Sequence, residues 1–323
     1  MSMPSVGVVS NKDKERISKT VRSTSKDVKG RVFVFSLLFA LAITLLILVV
    51  LLVQVLVDGW PILSDDPWAF VTGTLRSRSD DPLLGVSQGL YGSFWIAMFV
   101  AALAFPTGVA AAIYLDEYAP HNRFTNFLEL VIRNLAGVPS VVYGLLGLSI
   151  FVSDNWFSRN ITGGQSLVSA GLTLAILVLP IVIITSQEAL RAVPNGIKEG
   201  AYGVGATKWD VIRGQTLPYA APGILTGTLL SMSRAIGEAA PLILVGAVTG
   251  GMTADPQIWE VTALKDRFTA MPTLIQTWTQ QSGRDAGFAA AAAAAIVVLL
   301  VFVLLLNISA ILLRNRYEKK RST

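Results

Sequence analysis

Arg234 and Glu238 are the residues of this chain whose types and spacing most clearly invite chemistry. They sit in Ser231-Met232-Ser233-Arg234-Ala235-Ile236-Gly237-Glu238-Ala239-Ala240-Pro241-Leu242, inside an apolar stretch, 220–248, long enough to cross a bilayer with some tilt. A full charge at the centre of a spanning helix costs about 2.5–3.5 kcal/mol on insertion scales. Such a residue therefore faces a protein interior, a partner charge or an aqueous path rather than lipid. At i, i+4 on a helix the two side chains share a face and can touch. Two chemistries fit that spacing equally: a structural ion pair joining helices, and a station for an anionic solute.

A second loaded stretch runs from 187 to 218 between two apolar segments. Thr207-Lys208-Trp209-Asp210 has the residues of a capping box and predicts a short helix whose apolar side begins at Val211 and Ile212. Upstream, Gly203 and Gly205 can supply a turn, and Asn195 is placed to cap an earlier short helix carrying Lys198 and Glu199. Taken alone, two short helices along a membrane surface read as interfacial padding.

Little else in the chain invites chemistry. There is no cysteine, which excludes disulfides, thiolate metal sites and thiol nucleophiles. The sole histidine, His121, lies in a short loop with no cluster around it and is expected at the surface, so no metal site is expected. No catalytic set of Ser/His or paired carboxylates can be assembled within the apolar segments. Nor is there a phosphate-cradling G-x-x-x-x-G-K-[ST] run: Gly203-Val204-Gly205-Ala206-Thr207-Lys208 lacks its Gly-Lys pair and spacing. An enzyme is not expected, and any ATP hydrolysis must reside on another subunit.

The elements that must position the charged pair are membrane spans. Over 323 residues, 53% are hydrophobic and only 15% charged, far from the balance of a soluble domain. The expected fold is an all-α integral membrane protein with six transmembrane helices, at 32–57, 91–115, 127–152, 166–185, 220–248 and 287–313. The first apolar run is too long for a signal-peptide core and lacks a small-residue cleavage pattern, so it is read as an uncleaved span ending at Asp58-Gly59-Trp60-Pro61. Net charge is +5, and basic residues concentrate in a tail over 1–31 and another over 314–323. The positive-inside rule accounts for both, which places the termini in the cytoplasm and leaves no need for a nucleic-acid partner. The basic N-terminal tail can touch anionic lipid headgroups. The loop 58–89, in which Asp65, Asp66, Asp80 and Asp81 outweigh Arg76 and Arg78, is expected outside, as is 249–284 with Trp259, Phe268 and Trp278.

Two sets of residues resemble a known family. Glu199-Gly200-Ala201, then Gly205, then Leu217-Pro218 reproduces at every anchor the spacing of the cytoplasmic EAA loop of ABC importer permeases, with Gly200 for the first alanine and Gln215 for the usual isoleucine. Asn134-Leu135-Ala136-Gly137-Val138-Pro139-Ser140-Val141-Val142-Tyr143-Gly144-Leu145-Leu146-Gly147, together with Arg234-Ala235-Ile236-Gly237-Glu238-Ala239-Ala240-Pro241-Leu242, resembles the phosphate-uptake permeases, and the Ala-Pro-Leu ending resembles their PstA branch. Many relatives have threonine where this chain has Ala239.

The resemblance implies a type I ABC importer permease fold whose loop 187–218 forms cytoplasmic coupling helices. It further implies docking of a separate ATPase through Glu199, Gly200, Ala201, Gly205, Leu217 and Pro218, and a substrate pathway past Arg234 and Glu238. The implied partners are a PstC-like permease, a PstB-like ATPase dimer carrying ATP and Mg, and an external PstS-like phosphate-binding protein. The implied place is a prokaryotic plasma membrane and the implied cargo inorganic phosphate. A permease for another oxyanion such as molybdate or sulfate, or a membrane anchor or sensor scaffold without transport, are the other readings.

Overall fold

The computed structural model describes residues 28–247 and 260–322. The basic tail expected over 1–31 lies mostly outside these residues, as do Asp255 and Trp259 of the expected loop 249–284. The chain divides into two compact units, 1–54 and 55–323. The described part of the first is the N-terminal portion of helix α1 (Val28–Asp65), apolar all round with exposed side chains, the pattern of a helix made for lipid rather than water.

In the second unit α1 runs on through Gly59-Trp60-Pro61 to Asp65, past the end expected at 57. Packing overrides the breaker residues here. Gly59 lies so close to α12 (Gly287–Ser322) that a Cβ on it would fall 2.8 Å from the backbone nitrogen of Ala294, and Ile62 and Leu63 join the core built by Phe70, Trp278 and Phe288. The alanine run of α12 makes this approach available, with Ala291, Ala294 and Ala295 fully buried.

Next come α2 (Pro67–Thr72), capped by Asp66, and α3 (Ser87–Ile113), which closes in a π-helical turn, Tyr114–Tyr118. Then α4 (Arg123–Ala136) and α5 (Ser140–Gly147) share the expected span 127–152 between them; they meet at 98°. Gly137-Val138-Pro139 makes the break, since proline removes a helical donor and disfavours a helical residue before it. The long helix α6 (Leu167–Arg191) packs more extensively on α3 than any other helix pair among the described residues. A Cβ at Gly108 would meet Val182 at 2.7 Å and one at Gly171 would meet Phe99 at 2.6 Å, so the approach depends on glycine.

After the short α7 (Asn195–Gly203) and α8 (Lys208–Val211), α9 (Leu217–Ile236) packs on α6 and α12, and α10 (Ala240–Leu244) packs on α5. The expected span 220–248 is thus also divided, at Gly237-Glu238-Ala239. Among the described residues four helical stretches are long and apolar enough to cross a membrane, 30–65, 87–118, 167–191 and 287–312; the bent pair α4–α5 makes a fifth if taken as one span. The all-α membrane fold expected from composition is present, while α9 and α10 do not form one continuous sixth span.

The expected outer loop 249–284 holds more structure than its composition suggested. It contains α11 (Met271–Gln281), and Phe268 and Trp278, read as loop aromatics, are 1% and 2% exposed. Trp60 and Trp68, by contrast, are exposed as interfacial aromatics are. A turn carrying Arg78 and Asp80 is held to the α11–α12 junction, where Asp285 accepts hydrogen bonds from the Ser79 amide at 3.0 Å and from its hydroxyl at 2.5 Å. Those bonds hold the Asp285 carboxyl below its usual range.

Candidate functional site at the paired helix breaks

The two divided spans are built alike. α4 ends on Gly137 and α9 on Gly237, both glycines helical in conformation, with amides donating to Asn134 and Arg234 carbonyls at 3.1 Å. A proline then starts each following helix, Pro139 as the cap of α5 and Pro241 in the first turn of α10. The second halves meet. A Cβ at Gly144 would lie 2.7 Å from the Pro241 Cα, so α5 and α10 touch where α5 has no side chain. Buried Tyr143 ties its own break together, its hydroxyl donating to the Leu135 carbonyl at 2.9 Å. The two motifs that carried the family resemblance, 100 and 95 positions apart along the chain by their first and last residues, are neighbours in space.

Arg234 lies in the last turn of α9, where a cation is favoured by the carbonyl end of the helix dipole. Glu238 lies one residue beyond the cap, yet its Oε1 is 3.6 Å from Arg234 Nε. The i, i+4 contact therefore survives although the helix stops at Ile236; the tight turn at Gly237 replaces the missing turn of helix. Arg234 is 60% exposed and Glu238 21%. The guanidinium thus faces space that the described residues leave open. Beside it Ser233 donates to Asn307 Oδ1 of α12 at 2.8 Å, a polar contact between two membrane helices that the sequence reading did not anticipate.

The loop 187–218 carries the other expected residues. Glu199, Gly200 and Ala201 are on α7, with Glu199 and Gly200 exposed and nothing within 4 Å of a Cβ at Gly200. Asn195 is the first residue of that helix rather than its cap, a place taken by Pro194. Gly205 has φ +87°, a conformation that favours glycine, and makes the turn between α7 and α8. The capping box of α8 is present as expected: Thr207 and Asp210 satisfy each other's amides, and the bonds from the Thr207 hydroxyl and amide hold the Asp210 carboxyl below its usual range. Leu217 is half-buried against the core of Leu190, Val193 and Ala220, and Pro218 is exposed at the start of α9.

The segment 116–125, which holds His121, is tied to this region. Arg191 Nε donates to Asp116 at 2.7 Å and Lys198 Nζ to Glu117 at 2.6 Å, across 75 and 81 residues of chain. The only sequence signal was unassigned charge of opposite sign in two distant loops, which has no period to betray it. His121 is exposed, as expected, at the rim of a cavity of about 250 Å³ that Asp116, Glu129 and Arg191 also line. Among the described residues no cluster has the make-up of a metal site.

Several apolar helices of membrane-crossing length, two helix breaks that pack on each other and an exposed two-helix loop are the architecture of a multi-pass membrane protein. Residues 104–320 match the family described as binding-protein-dependent transport system inner membrane component, and the chain belongs to that family. ATP hydrolysis in such a system falls to a separate subunit. Among relatives, the probable ABC transporter permease protein YqgH of Bacillus subtilis is 32% identical over 249 residues, 74% of this chain and 79% of that one. The phosphate transport system permease protein PstA 1 of Mycobacterium tuberculosis is 37% identical over 194 residues, 59% of this chain and 60% of that one, so the match spans about three-fifths of that protein. The fold is also that of a chain in the crystal structure of a bacterial alginate ABC transporter in complex with an alginate pentasaccharide-bound periplasmic protein, with TM-score 0.61 at 14% identity over 93% of this chain and 98% of the other.

Proposed function

We propose that this chain is the PstA-like half of an ATP-driven importer for inorganic phosphate. The observation that carries the reading is Arg234, a guanidinium 60% exposed at the break of a membrane helix with Glu238 3.6 Å away. A charge so placed needs a second surface or an aqueous path to complete its surroundings. Its planar fork matches phosphate oxygens and stays charged at any working pH, so it can replace part of the anion's lost hydration. Glu238, competing for the same guanidinium, keeps the anion's stay short. The PstA relatives add support through the process their names state.

On this reading the exposed side of Arg234 is completed by a PstC-like permease, and both termini lie in the cytoplasm of a prokaryotic cell. A PstB-like ATPase dimer, carrying ATP and Mg, docks on Glu199, Gly200, Ala201 and Gly205, with Leu217 and Pro218 anchoring the loop's far end. A PstS-like protein delivers phosphate from outside. ATP binding closes the ATPase pair, moves the loop and opens the pathway outward; hydrolysis returns it. The test is copurification of the four components, reconstitution in liposomes, and measurement of ATP-dependent uptake of labelled phosphate. Uptake that sulfate or molybdate replaces, or a chain that binds no ATPase, would overturn the reading.

A further inference from the structure

Three consecutive residues beside the loop 187–218, Asp116, Glu117 and Tyr118, each hold a cation from a different part of it. Arg191, at the end of α6, donates to Asp116 at 2.7 Å and also reaches Glu129 at 3.0 Å. Lys198, on α7, pairs with Glu117 at 2.6 Å. Lys208, first in α8, stands 5.0 Å above the Tyr118 ring, within cation–π range. In an α-helix successive residues point about 100° apart. The π-helical turn 114–118 rotates each residue less than an α-turn does, which lets three neighbours in sequence address one loop.

These contacts differ in weight. The Glu117 side chain is 9% exposed and that of Lys198 20%, whereas Arg191 is 45% exposed. Exposed pairs contribute little, while breaking a desolvated pair from one side leaves an uncompensated charge. α7 buries none of its residues fully, so apolar packing does not explain how it is held. Lys198 faces α3 while the adjacent Glu199, with Tyr202 and Val204, faces outward. One short helix thus presents one side to a partner and grips α3 with the other.

The loop is covalently continuous with α6 and α9 but not with α3. We propose that Asp116-Glu117-Tyr118 is a receiver through which movement of the loop passes directly to α3, with Lys198–Glu117 as its principal strut; this rests on the loop being the ATPase-docking element. Glu117 and Lys198 are positioning residues. They do not touch the transported anion. The pair couples the displacement of α7 to α3, which packs along α6 and so moves the wall of the bundle together with α9.

The test uses the assembled transporter in liposomes. The chain has no cysteine, so a polarity-sensitive fluorophore on Tyr114→Cys, a 57% exposed position beside the receiver, reports on α3 alone when the partner subunits are also made cysteine-free. Glu117→Gln and Lys198→Met should still bind the ATPase and hydrolyse ATP. In each, the fluorophore's response to ATP and the phosphate taken up per ATP should fall about tenfold, a typical coupling magnitude. The reversed pair, Glu117→Lys with Lys198→Glu, should regain both, which a loss of structure alone would not allow. An unchanged response in the single variants, no response in the parent, or no recovery in a reversed pair that assembles would each overturn the receiver. A parent that moves no phosphate yet responds to ATP, with the response lost in the single variants, upholds the receiver and overturns the anion.

Discussion

Arg234 and Glu238 are close enough to attract each other, but a separation of 3.6 Å with the arginine 60% exposed is a loose pair. A pair whose work is to glue helices is shorter, and both members are shielded, as Lys198 and Glu117 are at 2.6 Å. The contrast within one chain favours the transport role for Arg234. Arg234→Gln is expected to abolish phosphate uptake while expression and ATPase binding persist, and Glu238→Gln to slow release more than entry. The decisive variant carries both changes. If it assembles and transports at the normal rate, measured as initial uptake in liposomes, the pair is structural and the assignment fails.

At the scale of elements, the same device is used twice. A helix ends on glycine, a proline starts the next piece, and the two second pieces pack at Gly144 and Pro241. Each break frees backbone groups within an apolar layer, which is tolerable where neighbouring protein or an aqueous path receives them. The loop element depends on a different glycine. Gly205 has φ +87° with nothing within 4 Å of an added Cβ, so a substitution there meets no neighbour and acts only through the backbone, at about 1–2 kcal/mol. Gly205→Val should therefore shift the angle between α7 and α8 while the membrane helices stay assembled, and Glu199→Lys should disturb the docking face without strain. Both are expected to separate ATP hydrolysis from uptake or to release the ATPase. Normal uptake per ATP in both variants would remove the loop from the coupling role.

At the scale of the whole molecule, the orientation in the membrane is set by charge outside the spans rather than by packing within them. The basic residues at the two ends of the chain predict cytoplasmic termini, and the acidic stretch 65–81 predicts an outer face. A reporter fused after Thr323 should read as cytoplasmic and one inserted within 65–81 as external. Opposite signals would overturn the topology. Because α4–α5 is bent by 98°, the count of crossings among the described residues depends on how that pair lies in the bilayer, and reporters placed between α5 and α6 would test it.

Much of this was legible in the residues themselves, for physical reasons that are local. Long apolar runs need lipid wherever they fold, so the apolar helices near 91–115, 166–185 and 287–313 could be read directly, and Thr207 with Asp210 announced a helix start because a capping box needs only four residues. The spacing of Glu199, Gly205 and Pro218, and the two glycine–proline motifs, pointed to a permease before any contact was known. Tertiary structure decided the rest. Gly59 lies inside a helix because, with Ala293 and Ala294 opposite, it allows close backbone approach. Phe268 and Trp278 enter a core that their loop-like, polar neighbours concealed. Asp116, Glu117 and Tyr118 find Arg191, Lys198 and Lys208 across the fold. Hydrophobic length and capping are written within a few turns of chain, whereas an ion pair between residues 81 positions apart carries no mark in either segment until packing brings the two together.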